Sequence, residues 1–238
     1  MQLRANSYPN WGSFLSEGKL EQQTTQVSRE VVQVLKQMLA ANAVSDEGTT
    51  SYSLKADDIL LPSMEWLYEI NLFVVAQIMG DHPEPPPVAV HATYSREPDP
   101  EFSYLEIYVY FPPEPNIKHL GQLVPLLKET IRHELEHAVQ SEETLAAIGG
   151  VPDFGDISSV KRTYLSDGEV SAWVSGLYKR AKMQKIPLSE IITTSIQMFE
   201  ERLKEELETH YYAEIENFLE QLEEKWLQYA KNRFPRAK

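Results

Sequence analysis

TIRHELEHAVQS, residues 130 to 141, is the stretch around which the rest of the chain is organised. It contains His133-Glu134-Leu135-Glu136-His137, two histidines four positions apart with a glutamate directly after the first. On an α-helix, residues with that spacing lie about 40° apart around the axis and one turn along, so both imidazoles can reach one metal ion. Glu134 then projects beside them. A carboxylate at that place is poorly aimed to be a third ligand, but it can hold a water molecule and take its proton.

The surroundings of the pattern support the helix. Leu127, Ile131, Leu135, Ala138 and Val139 fall on one arc, which is the predicted core face, and His133, Glu134 and His137 adjoin it. Glu129, Arg132, Glu136 and Gln140 occupy the remaining arc, which the periodicity assigns to solvent. The competing reading is a surface helix whose histidines are incidental.

Composition limits what else the chain can be. Its 238 residues, 42% of them hydrophobic, suffice for one sizeable domain with a packed core. There is no run of roughly eighteen apolar residues, and the amino-terminal MQLRANSYPNWGSFL is polar and mixed rather than basic then apolar. The expectation is a cytoplasmic protein without a secretion signal or a membrane span. With no cysteine, disulfides and thiolate ligands are excluded, so a transition-metal site must use histidine and carboxylate. A formal charge of -14 disfavours nucleic acid and anionic membranes as partners.

Outward from the metal helix, residues 1 to 19 show little periodicity and read as an irregular arm carrying Trp11 and Phe14. Residues 21 to 41 place Val27, Val31, Val34, Leu35, Met38 and Leu39 at helical spacing. Residues 51 to 55 suggest a short strand, and Pro62 opens an apolar segment predicted to be a helix as far as residue 79, before Gly80. Residues 81 to 87, DHPEPPP, form a stiff connector because each proline fixes φ. Residues 88 to 94 and 102 to 110 alternate like strands and are expected to pair as a hairpin, and the metal helix starts between 118 and 125.

Beyond the motif, residues 142 to 148 read as a continuation or fraying of the same helix, and 151 to 167 have loop chemistry. A helix begins near Asp167 or Gly168 and another at Pro187-Leu188-Ser189-Glu190. From there to Arg233 no Gly or Pro interrupts a three-to-four stripe running from Phe199 through Leu203, Leu207, Tyr211, Ile215, Phe218, Leu222 and Trp226 to Tyr229. One long helix or two stacked helices would satisfy it. The stripe either lies against its own domain or mediates self-association as a coiled coil.

Two histidines do not complete a zinc site, since a third protein ligand must leave one position for water. The extended His-Glu-x-x-His-x-x-Gly-x-x-His form is excluded because Gln140 and Glu143 stand at its glycine and histidine positions. Glu169, in YLSDGEVSAW (residues 164 to 173), is the preferred ligand: it sits in the first turn of a helix with core-facing Val170, Trp173, Val174 and Leu177, and Ala172 permits close approach. Asp167 is the competing ligand, followed by Asp153 and Asp156. The bland alternatives are a dipole-favoured carboxylate at Glu169 and a helix cap at Asp167. His82, His91, His119 and His210 lack partner spacing and read as ordinary polar residues.

With these residues in place, residues 88 to 180 resemble the gluzincin class of zinc metallopeptidases, in which a His-Glu-x-x-His helix supplies two ligands and a later helix supplies a glutamate. The fuller Asn-Glu-x-x-x-Asp form of the thermolysin branch is missing, so the likeness is to compact, divergent members. It implies one Zn2+ held by His133, His137 and Glu169, with Glu134 as general base. It also implies a strand that pairs with an extended substrate, a role falling to residues 103 to 110. Tyr164 is a candidate donor to the developing oxyanion, as Tyr or His is in related sites; the alternative is a core tyrosine.

The fold expected is α+β: a mostly helical, zincin-like single domain with a small antiparallel sheet and long carboxy-terminal helices. Residues 1 to 87 form a helical part, 88 to 186 the metal-site core and 187 to 238 a helical extension. The function expected is hydrolysis of a peptide or protein substrate. The competing reading is an inactive binding or scaffold protein of that fold, acting through its acidic carboxy-terminal helices, and a coincidental motif is the third.

Overall fold

The computed structural model describes residues 11–44, 50–54, 71–78, 88–95 and 104–235. Its elements are α1 (Trp11–Ala40), β1 (Thr50–Leu54), β2 (Asn71–Ile78), β3 (Ala89–Ser95), β4 (Tyr104–Phe111), α2 (His119–Ala138), α3 (Glu142–Ile148), α4 (Ile157–Tyr164), α5 (Asp167–Gln184), α6 (Leu188–Glu206) and α7 (Tyr212–Arg233). The class is α+β and mostly helical, with a small sheet in the amino-terminal half. Among the described residues no helix is long and apolar enough to cross a membrane.

Strand order is β1-β2-β4-β3. β3 and β4 pair antiparallel as expected, from Ala89 opposite Tyr110 to Ser95 opposite Tyr104. The sheet is nevertheless mixed rather than antiparallel throughout, because β2 runs parallel to β4. β2 also replaces the second half of the helix expected over residues 62 to 79; residues 62 to 70 lie outside the described ones. The physical reason is its position inside the sheet. Leu72, Val74, Val75 and Ala76 are all buried, and a strand covered on both faces shows a continuous apolar run that periodicity alone does not separate from a buried helix. β4 keeps the expected alternation, with Leu105, Ile107, Val109 and Phe111 buried and the intervening tyrosines and Glu106 half-buried.

Among the described residues two hydrophobic clusters form. The first joins Val31 and Leu35 of α1, Val74 and Ile107 of the sheet, and Leu123, Leu127 and Ile131 of α2. The second joins Val160 of α4, Val174 and Leu177 of α5, and the stripe of α6 and α7, including Leu203, Phe218, Leu222 and Trp226. The stripe is thus spent within the chain, folded back on itself where Leu207 turns extended and a short 3-10 turn (Thr209–Tyr211) intervenes. α2 and α5 pack together where the clusters meet. Gly176 sets their spacing, since a Cβ there would lie 2.8 Å from the Glu129 carbonyl oxygen and 3.4 Å from His133 Cβ.

Four further expectations change. The helix α1 begins at Trp11, so residues 11 to 19 are not an irregular arm; once the Leu20 to Met38 face is anchored, adding turns costs little. The segment 142 to 148 is its own helix, because Ser141 turns extended and its hydroxyl accepts the Thr144 N–H. The expected loop over 151 to 167 contains α4, capped by Asp156, whose carboxylate accepts the Ser158 N–H. Finally, the polar arc of α2 is not solvent-facing. Arg132 is 1% exposed and paired with a buried Glu136 at 2.6 Å, and Glu129 meets Arg180 of α5 at 3.4 Å. α2 is covered on several sides by α1, β3 and α5, which a single-helix periodicity does not report. The proline-rich connector, residues 81 to 87, lies outside the described residues.

Candidate metal centre

His133 and His137 project from α2 with their Nε2 atoms 3.0 Å apart. Glu169 enters from the first turn of α5, with Oε2 at 3.6 Å from His133 Nε2 and Oε1 at 3.4 Å from His137 Nε2. Four ligands arranged tetrahedrally at zinc bond lengths of about 2.0–2.1 Å stand about 3.3 Å from one another. The Nε2–Nε2 separation is close to that edge, and each histidine has its own nearest Glu169 oxygen at a similar distance, so the three side chains converge on one point where a small cation could be held. These three residues also form the group of potential metal ligands among the described residues whose donor atoms all lie within 4.8 Å of one another.

The competing carboxylates are occupied elsewhere. Asp167 is 92% exposed and forms an ion pair with Lys225 of α7 at 2.8 Å. Asp156 caps α4, and Asp153 accepts the Gly155 N–H at 2.9 Å. Glu169 is aimed inward because Ser166, rather than Asp167, caps α5: its hydroxyl accepts the Glu169 N–H at 3.2 Å. Gly168 then packs against Ile148 and Thr144 of α3, where any side chain would collide.

Glu134 stands just outside the ligand set, with Oε1 3.9 Å from His133 Nε2. Its other oxygen accepts the backbone N–H of Tyr94 from β3 at 2.9 Å. Burial pushes the Glu134 carboxyl up to about 7, against the pull of the His137 charge and the Tyr94 N–H. Burial likewise drives His133 down to about 3, aided by the neighbouring His137 charge. Burial would also raise Glu169, but the hydrogen bond with His137 and the charges of both histidines outweigh it and hold this carboxyl below its usual range. The pocket is therefore desolvated, and it contains one carboxylate kept anionic beside two imidazole nitrogens. That electrostatic setting favours a cation.

Tyr164 is half-buried, its ring stacked on Trp173 with centroids 6.0 Å apart and packed on Phe199 at 4.5 Å. Trp173 in turn meets the His133 ring edge-on at 4.8 Å and stacks on Trp226. Burial, with the Glu169 charge, raises the Tyr164 hydroxyl to about 12, so it keeps its proton through the neutral range. The residue is thus part of an aromatic wall beside the ligands. His91 is exposed on β3, His119 begins α2 and His210 pairs with Glu208 at the surface; none joins the ligand cluster, and His82 lies outside the described residues.

Three participants escaped the sequence reading. Tyr94 gives no local signal, since it meets Glu134 across 40 positions. Gly176 is one turn beyond Ala172 and could have been found by the same small-residue argument. Gln140 follows His137 by three positions and so lies beside it on the helix, a neighbour relation readable from spacing alone. No protein-family model, curated protein or solved structure matches the chain.

Proposed function

We propose that this protein is a zinc-dependent peptide-bond hydrolase of the gluzincin type. The observation that carries the reading is the convergence of His133, His137 and Glu169, whose donor atoms lie within 4.8 Å of one another, with Glu134 held immediately beside them. Zinc held by those three residues would supply Lewis acidity, polarising a peptide carbonyl and making water acidic enough to lose a proton near neutral pH. Glu134 takes that proton and returns it to the leaving amine. Its raised proton affinity suits both halves of the transfer at neutral pH. Tyr164, protonated under the same conditions, is the candidate donor to the oxyanion.

The strand that would receive substrate is not the one expected. β4 is flanked by β2 and β3, so residues 104 to 111 have no free edge to offer. β1 and β3 are the two edge strands among the described residues, and α2 packs against β3. Because successive N–H groups alternate across a strand, those of Val90 and Ala92 face the same side as the Tyr94 N–H that meets Glu134. An extended peptide added to that edge would run past the general base.

The test is purification without chelator, metal analysis and a peptide-library cleavage assay. About one zinc per chain is expected, with turnover lost on chelation and restored by stoichiometric zinc. Protein that retains no zinc from a zinc-buffered solution, or a zinc-loaded chain inert towards every peptide, defeats the proposal.

A further inference from the structure

The side chain of Gln140 touches both halves of the site. Its Nε2 lies 2.8 Å from the Gly168 carbonyl oxygen and 2.8 Å from Ser171 Oγ, and its Oε1 lies 3.0 Å from His137 Nδ1. The Gly168 carbonyl belongs to the peptide bond that leads into Glu169, so one amide is hydrogen-bonded to a histidine on α2 and to the backbone carrying the carboxylate on α5.

The hydrogen positions in this chain of contacts follow from chemistry. A carbonyl oxygen only accepts, so the end of the Gln140 amide facing Gly168 is its NH2 group. Ser171 donates its own O–H to the same carbonyl at 2.9 Å and accepts from Gln140 with a lone pair. The opposite end of the amide is then the oxygen. An oxygen 3.0 Å from His137 Nδ1 requires a proton on that nitrogen, so when the ring carries a single proton its lone pair is on Nε2, which faces His133 and Glu169, and the Nε2–H that bonds Glu169 belongs to the doubly protonated ring. His133 has no such partner: among the described residues its Nδ1 is buried without a hydrogen bond.

We propose that Gln140 is the positioning residue of the site, fixing His137 as its Nδ1–H tautomer and tying the start of α5 to α2 so that Glu169 converges on the same point. The tautomer half stands on the protein alone; the metal-affinity half rests on the zinc reading above. A residue in this role acts through the ligands and touches no substrate.

The test uses the full chain. Long-range 1H–15N correlation spectra of the imidazoles in metal-free protein at alkaline pH report the tautomer, and competition with a chromophoric chelator reports zinc affinity. In the wild type His137 carries its proton on Nδ1. Gln140→Leu moves it to Nε2 and weakens zinc binding about 10–100-fold. Gln140→Glu, which can still accept from Nδ1 but cannot donate to the Gly168 carbonyl, keeps the Nδ1–H tautomer and serves as the rescue. A wild-type His137 protonated on Nε2, or a Gln140→Leu protein with an unchanged tautomer, overturns the inference. A chain that binds no zinc but whose tautomer follows Gln140 sinks the hydrolase reading and upholds this one.

Discussion

Tyr94 on the edge strand β3 donates its backbone N–H to Glu134 Oε2 at 2.9 Å, joining the sheet to the helix that carries both histidines. The bond leaves Oε1 as the oxygen nearer His133 and holds the carboxylate against swinging into the ligand set. Replacing Glu134 by glutamine preserves an acceptor for Tyr94 and removes the basic oxygen. Glu134→Gln is expected to keep the zinc content of the wild type while peptide turnover falls by about 10²–10⁴-fold. Metal analysis and turnover on the same preparation check both halves.

Glu169 and Asp167 differ by two positions and by nearly everything else. The first faces the histidines, while the second is solvent-exposed beside Lys225. Glu169→Ala should weaken zinc retention by about two orders of magnitude or more, whereas Asp167→Asn should leave it unchanged, as an exposed pair with Lys225 contributes at most about 1 kcal/mol. Equal losses in the two variants would reject Glu169 as the third ligand.

Gly176 tests whether helix spacing sets the site. Alanine is the better helix former by up to about 1 kcal/mol, yet its methyl group would fall 2.8 Å from the backbone oxygen of Glu129. Backbone cannot yield as a side-chain tip can, so overpacking wins: Gly176→Ala is expected to destabilise the fold by about 1–3 kcal/mol and to weaken zinc binding, because α5 moves outward with Glu169. Chemical denaturation and chelator competition measure the two effects. A more stable variant with intact metal affinity would show that the helices do not need this contact.

Tyr164 is expected to matter for rate and not for metal. Tyr164→Phe keeps the ring that packs on Trp173 and Phe199 and deletes only the hydroxyl. A fall in kcat of about 10²-fold at unchanged zinc content is the predicted signature of a lost oxyanion donor; unchanged kcat would leave it as a packing residue only.

An ion pair behind the site gives a pH-dependent prediction. Burial works upward on Glu21 of α1, but hydrogen bonding to the buried Lys179 of α5, with the charges of Lys179, Lys182 and Arg132, more than offsets it and lowers the carboxyl below 4.5. A carboxylate with depressed folded affinity for protons adds stability above its unfolded value and loses it as pH falls through the folded one. Glu21→Gln should therefore cost about 1 kcal/mol at pH 7, a figure reduced for the partial exposure of Glu21, and progressively less below pH 4.5. Thermal melts of both proteins across that range read the difference.

The helix α2, the pairing of β3 with β4, and the starts of α5 and α6 were legible because their signals are local. His133 and His137 share a face by spacing alone, β4 alternates residue by residue, and Pro187 marks a helix start through its fixed φ; the start of α5 was placed at Asp167 or Gly168, although the residue that caps it is Ser166. β2 was not legible, since Leu72, Val74, Val75 and Ala76 are buried by neighbours far away in sequence. The polar arc of α2 failed for the same cause: Arg132 and Glu136 satisfy each other inside the protein, so polarity did not mean solvent.

By itself the sequence determined which groups can do chemistry, because the four-residue spacing of His133 and His137 and the absence of cysteine are fixed before any folding occurs. Only the tertiary structure decided which acid joins them, which amide orients them and which strand borders them. Glu169, Gln140 and Tyr94 owe their roles to the close crossing of α2 with α5 at Gly176 and to the packing of α2 on an edge strand. Contacts of that kind depend on the shapes of two surfaces at once, and no single stretch of the chain encodes both.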